Sequence, residues 1–223
     1  MMNNLKQYRD LVPGEMIFVG GDTSAGLGDR SVCQFFSAKK LDVPMVYSTN
    51  SIATEMTGEI VPILEYISDT TGYLPLIAYE RQNGGVFEMD RLARLNKQGK
   101  YAIFQMPTYG NQGDSEQTVK LGWDTNSATR PQMLSALKEA VDNRLIRIYD
   151  KETIEEFFSF ILVHTSTSVK AQAERNAYDD KVMSLAIAYQ MFQLTPDYSK
   201  YLIGGDSLEK YYRNIQNSEV QGY

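Results

Sequence analysis

One cysteine, one histidine and one tryptophan are all that the 223 residues hold of these three types. A lone Cys33 excludes an internal disulfide and a cysteine-rich zinc site, and its strand-like surroundings suit a buried, inert thiol. A lone His164 removes Ser-His triads and multi-histidine zinc centres. No apolar run approaches the roughly 18 residues of a membrane span, and the opening "MMNNLKQYRD" lacks the apolar core of a signal peptide. A cytoplasmic protein fits. An excess of positive charge is missing too. The formal net charge is -6, which argues against gripping nucleic acid with the whole surface but leaves room for a local basic groove. Hydrolytic chemistry in such a chain falls to carboxylates.

What is present is enough apolar material, 43% of residues, to bury the core of one domain. Residues 16–22, 31–38 and 43–49 read as an antiparallel meander of three strands. Met56, Ile60, Ile63, Leu64 and Ile67 recur at helical spacing, with Pro62 expected in the first turn and Gly72 as the stop. "LPLIAYE" (74–80) is a fourth strand, "RQNGG" a turn, 86–97 a helix and "YAIFQM" (101–106) a fifth strand. Residues 107–128 read as a long loop with a hairpin in 117–123, and Trp123 as a packing anchor. A helix follows at "TRPQMLSALKEAVDNR", capped by Thr129. Then come a short strand "LIRIY", a helix or helix–strand unit "KETIEEFFSFIL", and an apolar helix over 179–192. The order predicts an α/β fold. Its mixed sheet has five strands or slightly more, the first three antiparallel and the fourth and fifth parallel to the first, with helices on both faces. Residues 1–15 read as a linker or start segment, 16–195 as the domain, and 196–223 as a tail with a short helix at 207–216.

Carboxylates stand at the ends of these elements. Asp22 closes the first strand and Glu80 the fourth. On adjacent parallel strands the two emerge at one sheet edge, roughly 5 Å apart. Asp179 and Asp180 open the helix that can cross that sheet. Each has a bland reading: Asp22 as a turn residue, Glu80 as a strand-end charge, Asp179 as an N-cap and Asp180 as a helix-dipole partner. Together they form a cluster with no compensating cation, for which divalent metal is the remedy. Hard oxygen donors favour Mg²⁺ or Mn²⁺, and two such ions can activate a water and stabilise the leaving oxygen of a phosphodiester.

Four segments then resemble one family in order: "GGDTSAGLGDRS", "LIAYERQNGG", "GWDTNSATRPQMLSALKEAV" and "AERNAYDDKVMSLAIA". They are similar to the first acidic strand with its Gly-rich hairpin, the Glu-x-x-x-Gly motif, the Gly-Trp-x-Thr and Arg-Pro segment, and the third acidic motif of the C-terminal nuclease domain of tailed-bacteriophage large terminase subunits. The resemblance covers about residues 15–195. It implies an RNase H-like, RuvC-like nuclease fold, two Mg²⁺ or Mn²⁺ ions, and cutting of concatemeric viral DNA. It carries Asp22, Glu80 and one or both of Asp179 and Asp180 over as catalytic metal ligands, with the balance toward Asp180. Tyr178 stands where the family often has histidine. Arg30, Arg81, Lys120 and Arg130 are the candidates for gripping double-stranded DNA, with Lys39, Lys40, Lys170 and Arg175 behind them. The absence of a Gly-x-x-x-x-Gly-Lys-(Ser/Thr) loop implies an isolated domain that cuts unspecifically and does not pump. Its implied partners are the packaging ATPase domain, the portal and the small terminase subunit, and its implied place is the host cytoplasm and, transiently, the procapsid portal. Three rivals stand beside this reading: a resolvase- or transposase-type nuclease, an actin-like or sugar-kinase-like phosphate binder built on "DTSAG", and a non-catalytic docking domain.

Overall fold

The computed structural model describes residues 4–24, 30–107, 119–164, 169–173 and 179–203. In chain order the elements are β1 (Leu5–Gln7), β2 (Ile17–Asp22), β3 (Ser31–Ser37), β4 (Asp42–Thr49), α1 (Ala53–Thr71), β5 (Leu76–Tyr79), α2 (Gly85–Leu95), β6 (Ala102–Ile103), β7 (Gln105–Pro107), β8 (Val119–Leu121), α3 (Thr129–Asp142), β9 (Arg147–Ile148), α4 (Lys151–Ser159), β10 (Phe160–His164), β11 (Val169–Ala173) and α5 (Asp180–Leu194). The main sheet runs β1-β4-β3-β2-β5-β6, with β9 also on β4. The meander β2–β3–β4 is antiparallel, and β5 and β6 run parallel to β2. This is the mixed sheet the sequence implied, enlarged by β1 and β9.

Alternation along the strands builds two apolar layers. Phe18, Phe36, Leu76 and Ala78 face α3 and α5 on one side. Ile17, Val19, Phe35, Tyr47, Ile77 and Tyr79 face α1 and α2 on the other. Helices therefore cover both faces, and β2 is buried along its whole length.

Four expectations are corrected. The segment before Glu15 is no loose linker where it is described: Leu5–Gln7 adds an edge strand antiparallel to β4. Arg9 then clamps Asp42 at 2.6 and 2.7 Å and also pairs with buried Glu15. Pro62 lies inside α1 rather than in its first turn, because the helix begins at Ala53. It sits on the exposed face, where water can take the carbonyl its missing N–H leaves open. The fifth strand breaks at Phe104, whose ring turns in to stack on Trp123 with centroids 5.9 Å apart; β7 leaves the main sheet and pairs with β8. Thr129 does not cap α3. Asn126 does, its Oδ1 accepting the N–H groups of Ala128 and Thr129 at 2.9 and 3.0 Å. Gly72 ends α1 in the left-handed region at φ 76°, as expected. The helix foreseen at 207–216, the glycines of the hairpin at 25–29, Arg175 and Tyr178 lie outside the described residues.

Candidate active site

Asp22 is the last residue of β2 and opposes Val32 of β3. Glu80 follows β5 directly, and its N–H donates to the Gly21 carbonyl at 2.8 Å, so the ladder carries it to the same edge. Beyond Glu80 the segment around Trp123 adds a parallel bridge, with Trp123 N–H on the Tyr79 carbonyl and Arg81 N–H on the Trp123 carbonyl, both 2.8 Å. Trp123 is 2% exposed and acts as the expected anchor. The turn after Glu80 needs its two glycines. Gly84 takes φ 89°, and a Cβ on Gly85 would stand 1.7 Å from the Glu80 carbonyl oxygen.

Helix α5 brings the third and fourth carboxylates. Gly20 sets how closely it approaches β2: a Cβ there would lie 2.1 Å from the Ser184 carbonyl oxygen and 2.5 Å from the Ala188 nitrogen. A Cβ on Gly21 would meet the Tyr79 ring at 2.3 Å. These glycines thus let a helix and an aromatic ring in.

The four acids feel one another. Asp22 is buried, and its carboxyl is pushed well above the ordinary carboxylate range. Burial contributes most, followed by the charges of Glu80 and Asp180, a hydrogen bond shared with Glu80, and the charge of Asp179. One oxygen of Asp180, Oδ2, is closed off from solvent. Asp179 stands at the N-cap position of α5 but makes no capping bond; its Oδ2 accepts from Arg130 Nη2 at 2.7 Å.

No family model and no curated protein matches the chain. Solved structures do. The large terminase nuclease from thermophilic phage G20c aligns with a TM-score of 0.60 at 18% identity, over 85% of this chain and 89% of that one. Its magnesium-bound form gives 0.59 at 19%, over 85% and 88%. The Thermus phage P74-26 large terminase nuclease domain gives 0.58 at 18%, over 84% and 85%. The chain has the fold of a large terminase nuclease.

On this terminase-nuclease fold the donor set is all oxygen, as a hard divalent ion requires. Among the described residues, no three His, Cys, Asp or Glu side chains are gathered at ligating distance around one point. Asp179 is turned to Arg130, and Asp22 feels Glu80 and Asp180 as its nearest charges. The acids are neighbours, in a closed arrangement.

The four expected DNA contacts all have protein partners. Arg30 pairs with Glu152 at 3.2 Å, Lys120 with Asp124 at 2.8 Å and Arg130 with Asp179 at 2.7 Å. Arg81 Nη1 donates to the Leu121 carbonyl at 2.7 Å. Arg30 also lines a cavity of about 270 Å³ with Lys6, Ser48, Asn50 and Glu152.

Sequence reasoning missed Glu156 and Lys181. Glu156 of α4 performs the capping that Asp179 does not, accepting the N–H groups of Lys181 and Val182 at 2.8 and 3.3 Å. Burial pushes its carboxyl up to about 7 against those two bonds, and the charge of Asp180 adds to the rise. A charged residue inside the apolar run "DDKVMSLAIA" was the available signal for Lys181; nothing local marks Glu156.

Proposed function

We propose that this domain is a divalent-metal-dependent endodeoxyribonuclease of a viral DNA-packaging terminase. It would cut concatemeric phage DNA by phosphodiester hydrolysis. The carrying observation is that Asp22, Glu80, Asp179 and Asp180 come from three distant parts of the chain to act on one another, burial first and the neighbouring acids after it raising the Asp22 carboxyl. Its likeness in fold to nucleases solved with bound magnesium and cobalt supports the reading.

Asp22, Glu80 and Asp180 would hold two Mg²⁺ or Mn²⁺ ions, with Asp179 joining once Arg130 turns away. Bound metal would supply an acidified water and charge neutralisation at the leaving oxygen. The chain's own residues do the rest. The β2–β5 ladder fixes the spacing of Asp22 and Glu80. Gly20 holds α5, and with it Asp180, against β2. Arg130, released from Asp179, meets a backbone phosphate, and Arg30 and Lys120 extend that contact along the duplex. Arg81 braces β8 through the Leu121 carbonyl. Double-stranded DNA is the substrate. The ATPase domain, portal and small terminase subunit are the assembly partners, in the host cytoplasm and at the procapsid portal. Among the described residues no helix is long and apolar enough to cross a membrane.

The closed arrangement of the acids favours one second reading, a docking domain whose acidic edge does no chemistry. A single experiment separates the two. Supercoiled plasmid is incubated with the protein and Mn²⁺ or Mg²⁺, in parallel with Asp22→Asn. Nicking by the parent alone supports the nuclease. Intact plasmid at high protein and metal, or equal cutting by the variant, leaves the docking domain.

A further inference from the structure

The residue after Asp180 is an ammonium with no access to water. Lys181 is fully buried, and its Nζ sits 2.9 Å from Asp150 Oδ2 and 3.0 Å from Glu152 Oε2. Its backbone is held as firmly. The N–H donates to Glu156 Oε2 at 2.8 Å, and the carbonyl accepts from Ser184 Oγ at 3.1 Å and Gln34 Nε2 at 3.4 Å. The partners are themselves fixed. Asp150 Oδ2 accepts the N–H and hydroxyl of Thr153 at 2.9 and 2.8 Å, and Oδ1 accepts the Tyr8 hydroxyl at 2.5 Å. Gln34 also donates to Thr153 Oγ1 at 2.8 Å, and it lies on β3 directly opposite Gly20.

Successive side chains on a helix diverge by about 100°. An anchored Lys181 therefore fixes the direction of its neighbour Asp180 without touching it. Gly20 sets the distance of α5 from the sheet; the Lys181 anchor sets its rotation and axial register at the first turn. We infer that Lys181, locked to Asp150, is a positioning residue for the carboxylate end of α5, holding Asp180 where a divalent cation binds. This rests on the metal-site reading above. Groups that orient ligands from behind typically govern metal affinity by about 10–100-fold.

The test is Mn²⁺ binding by calorimetry on the full chain, with thermal melting beside it. Lys181→Met alone leaves the buried Asp150 carboxylate with Lys6 at 3.5 Å as its remaining cation and can unfold the protein. The double variant Lys181→Met/Asp150→Asn removes both buried charges together, a change that folds tolerate far better. The inference expects a folded double variant that melts cooperatively, binds Mn²⁺ about tenfold or more weakly, and cuts plasmid with a reduced kcat and an unchanged KM for DNA. A folded double variant with the parent's Mn²⁺ affinity overturns it and leaves the metal site standing. A parent that binds no Mn²⁺, or binds it no better than Asp22→Ala does, overturns the metal site and this inference with it.

Discussion

Asp22 and Glu80 meet carboxyl to carboxyl through a shared hydrogen bond, at the ends of adjacent parallel strands. That contact needs a proton, and burial together with the other acids keeps the proton on Asp22 above its ordinary 3.8. The sign for stability follows. Above pH 3.8 the unfolded chain releases this proton while the folded one retains it, so folding stability falls as pH rises toward the raised value. Melting temperatures in chelator should decline as pH rises above 3.8, and Asp22→Asn should flatten the decline. An amide can donate to Glu80 without a titrating proton. A gain of about 1 kcal/mol corresponds to a rise of about 2–4 °C for a chain of this size, and metal-dependent cutting should vanish with it. A variant that melts below the parent at neutral pH in chelator would contradict this account.

Gly20 tests the packing. Alanine there places a methyl carbon against the backbone of α5 rather than against a movable side chain. Overpacking of this kind costs about 1–3 kcal/mol, to be read from urea unfolding. Because the helix that must yield carries Asp180, cutting should fall more than stability alone explains, measured at a temperature where the variant is fully folded.

Arg130 and Asp179 are each about one-third exposed, 33% and 31%, so their ion pair adds little to folding, at most about 1 kcal/mol. Arg130→Ala should leave the melting temperature nearly unchanged. It should weaken duplex binding for all sequences alike and lower the slope of log affinity against log salt by about 1. Fluorescence anisotropy in Ca²⁺ across a salt series measures both. An unchanged slope would remove Arg130 from the DNA contacts.

Glu156 titrates at about 7, above its ordinary 4.5, because it is buried. Its stability contribution is present below pH 4.5 and is lost as pH rises to about 7. Glu156→Gln keeps an oxygen for the two N–H groups of α5 and has no proton to lose. The variant should match the parent at pH 5 and melt higher at pH 8, and equal melting at both would show that ionisation of Glu156 is not coupled to folding.

Much of this was legible. Met16–Asp22 is an unbroken apolar run ending in glycines and an acid, and such a run has few places to go but the middle of a sheet. The periodicity of Met56 to Ile67 marks α1 unmistakably, and Asp22 and Glu80 stand at strand ends where the ladder makes them neighbours. What escaped shares one cause: long-range partners. "LKQ" carries no strand pattern and becomes β1 only because β4 offers it an open edge. The need for Gly20 lies in the Ser184 carbonyl, 164 positions on in the chain. Lys181 finds its counter-ion 31 residues away, and Glu156 caps a helix that starts 24 residues later. Local spacing holds no record of such pairings.

The Arg9 clamp also says where this body can be cut. A fragment starting at Met16 looks reasonable by hydropathy, yet it discards the edge strand β1, the Tyr8 hydroxyl that braces Asp150, and the only guanidinium facing both Glu15 and Asp42 among the described residues. Asp42 would be left buried with the Tyr149 hydroxyl and without its guanidinium, and the loss would reach through Asp150 to the foot of α5. For anyone trimming the domain, the described body from Asn4 onward belongs together, since Asn4 itself bonds Glu59 and Ser48.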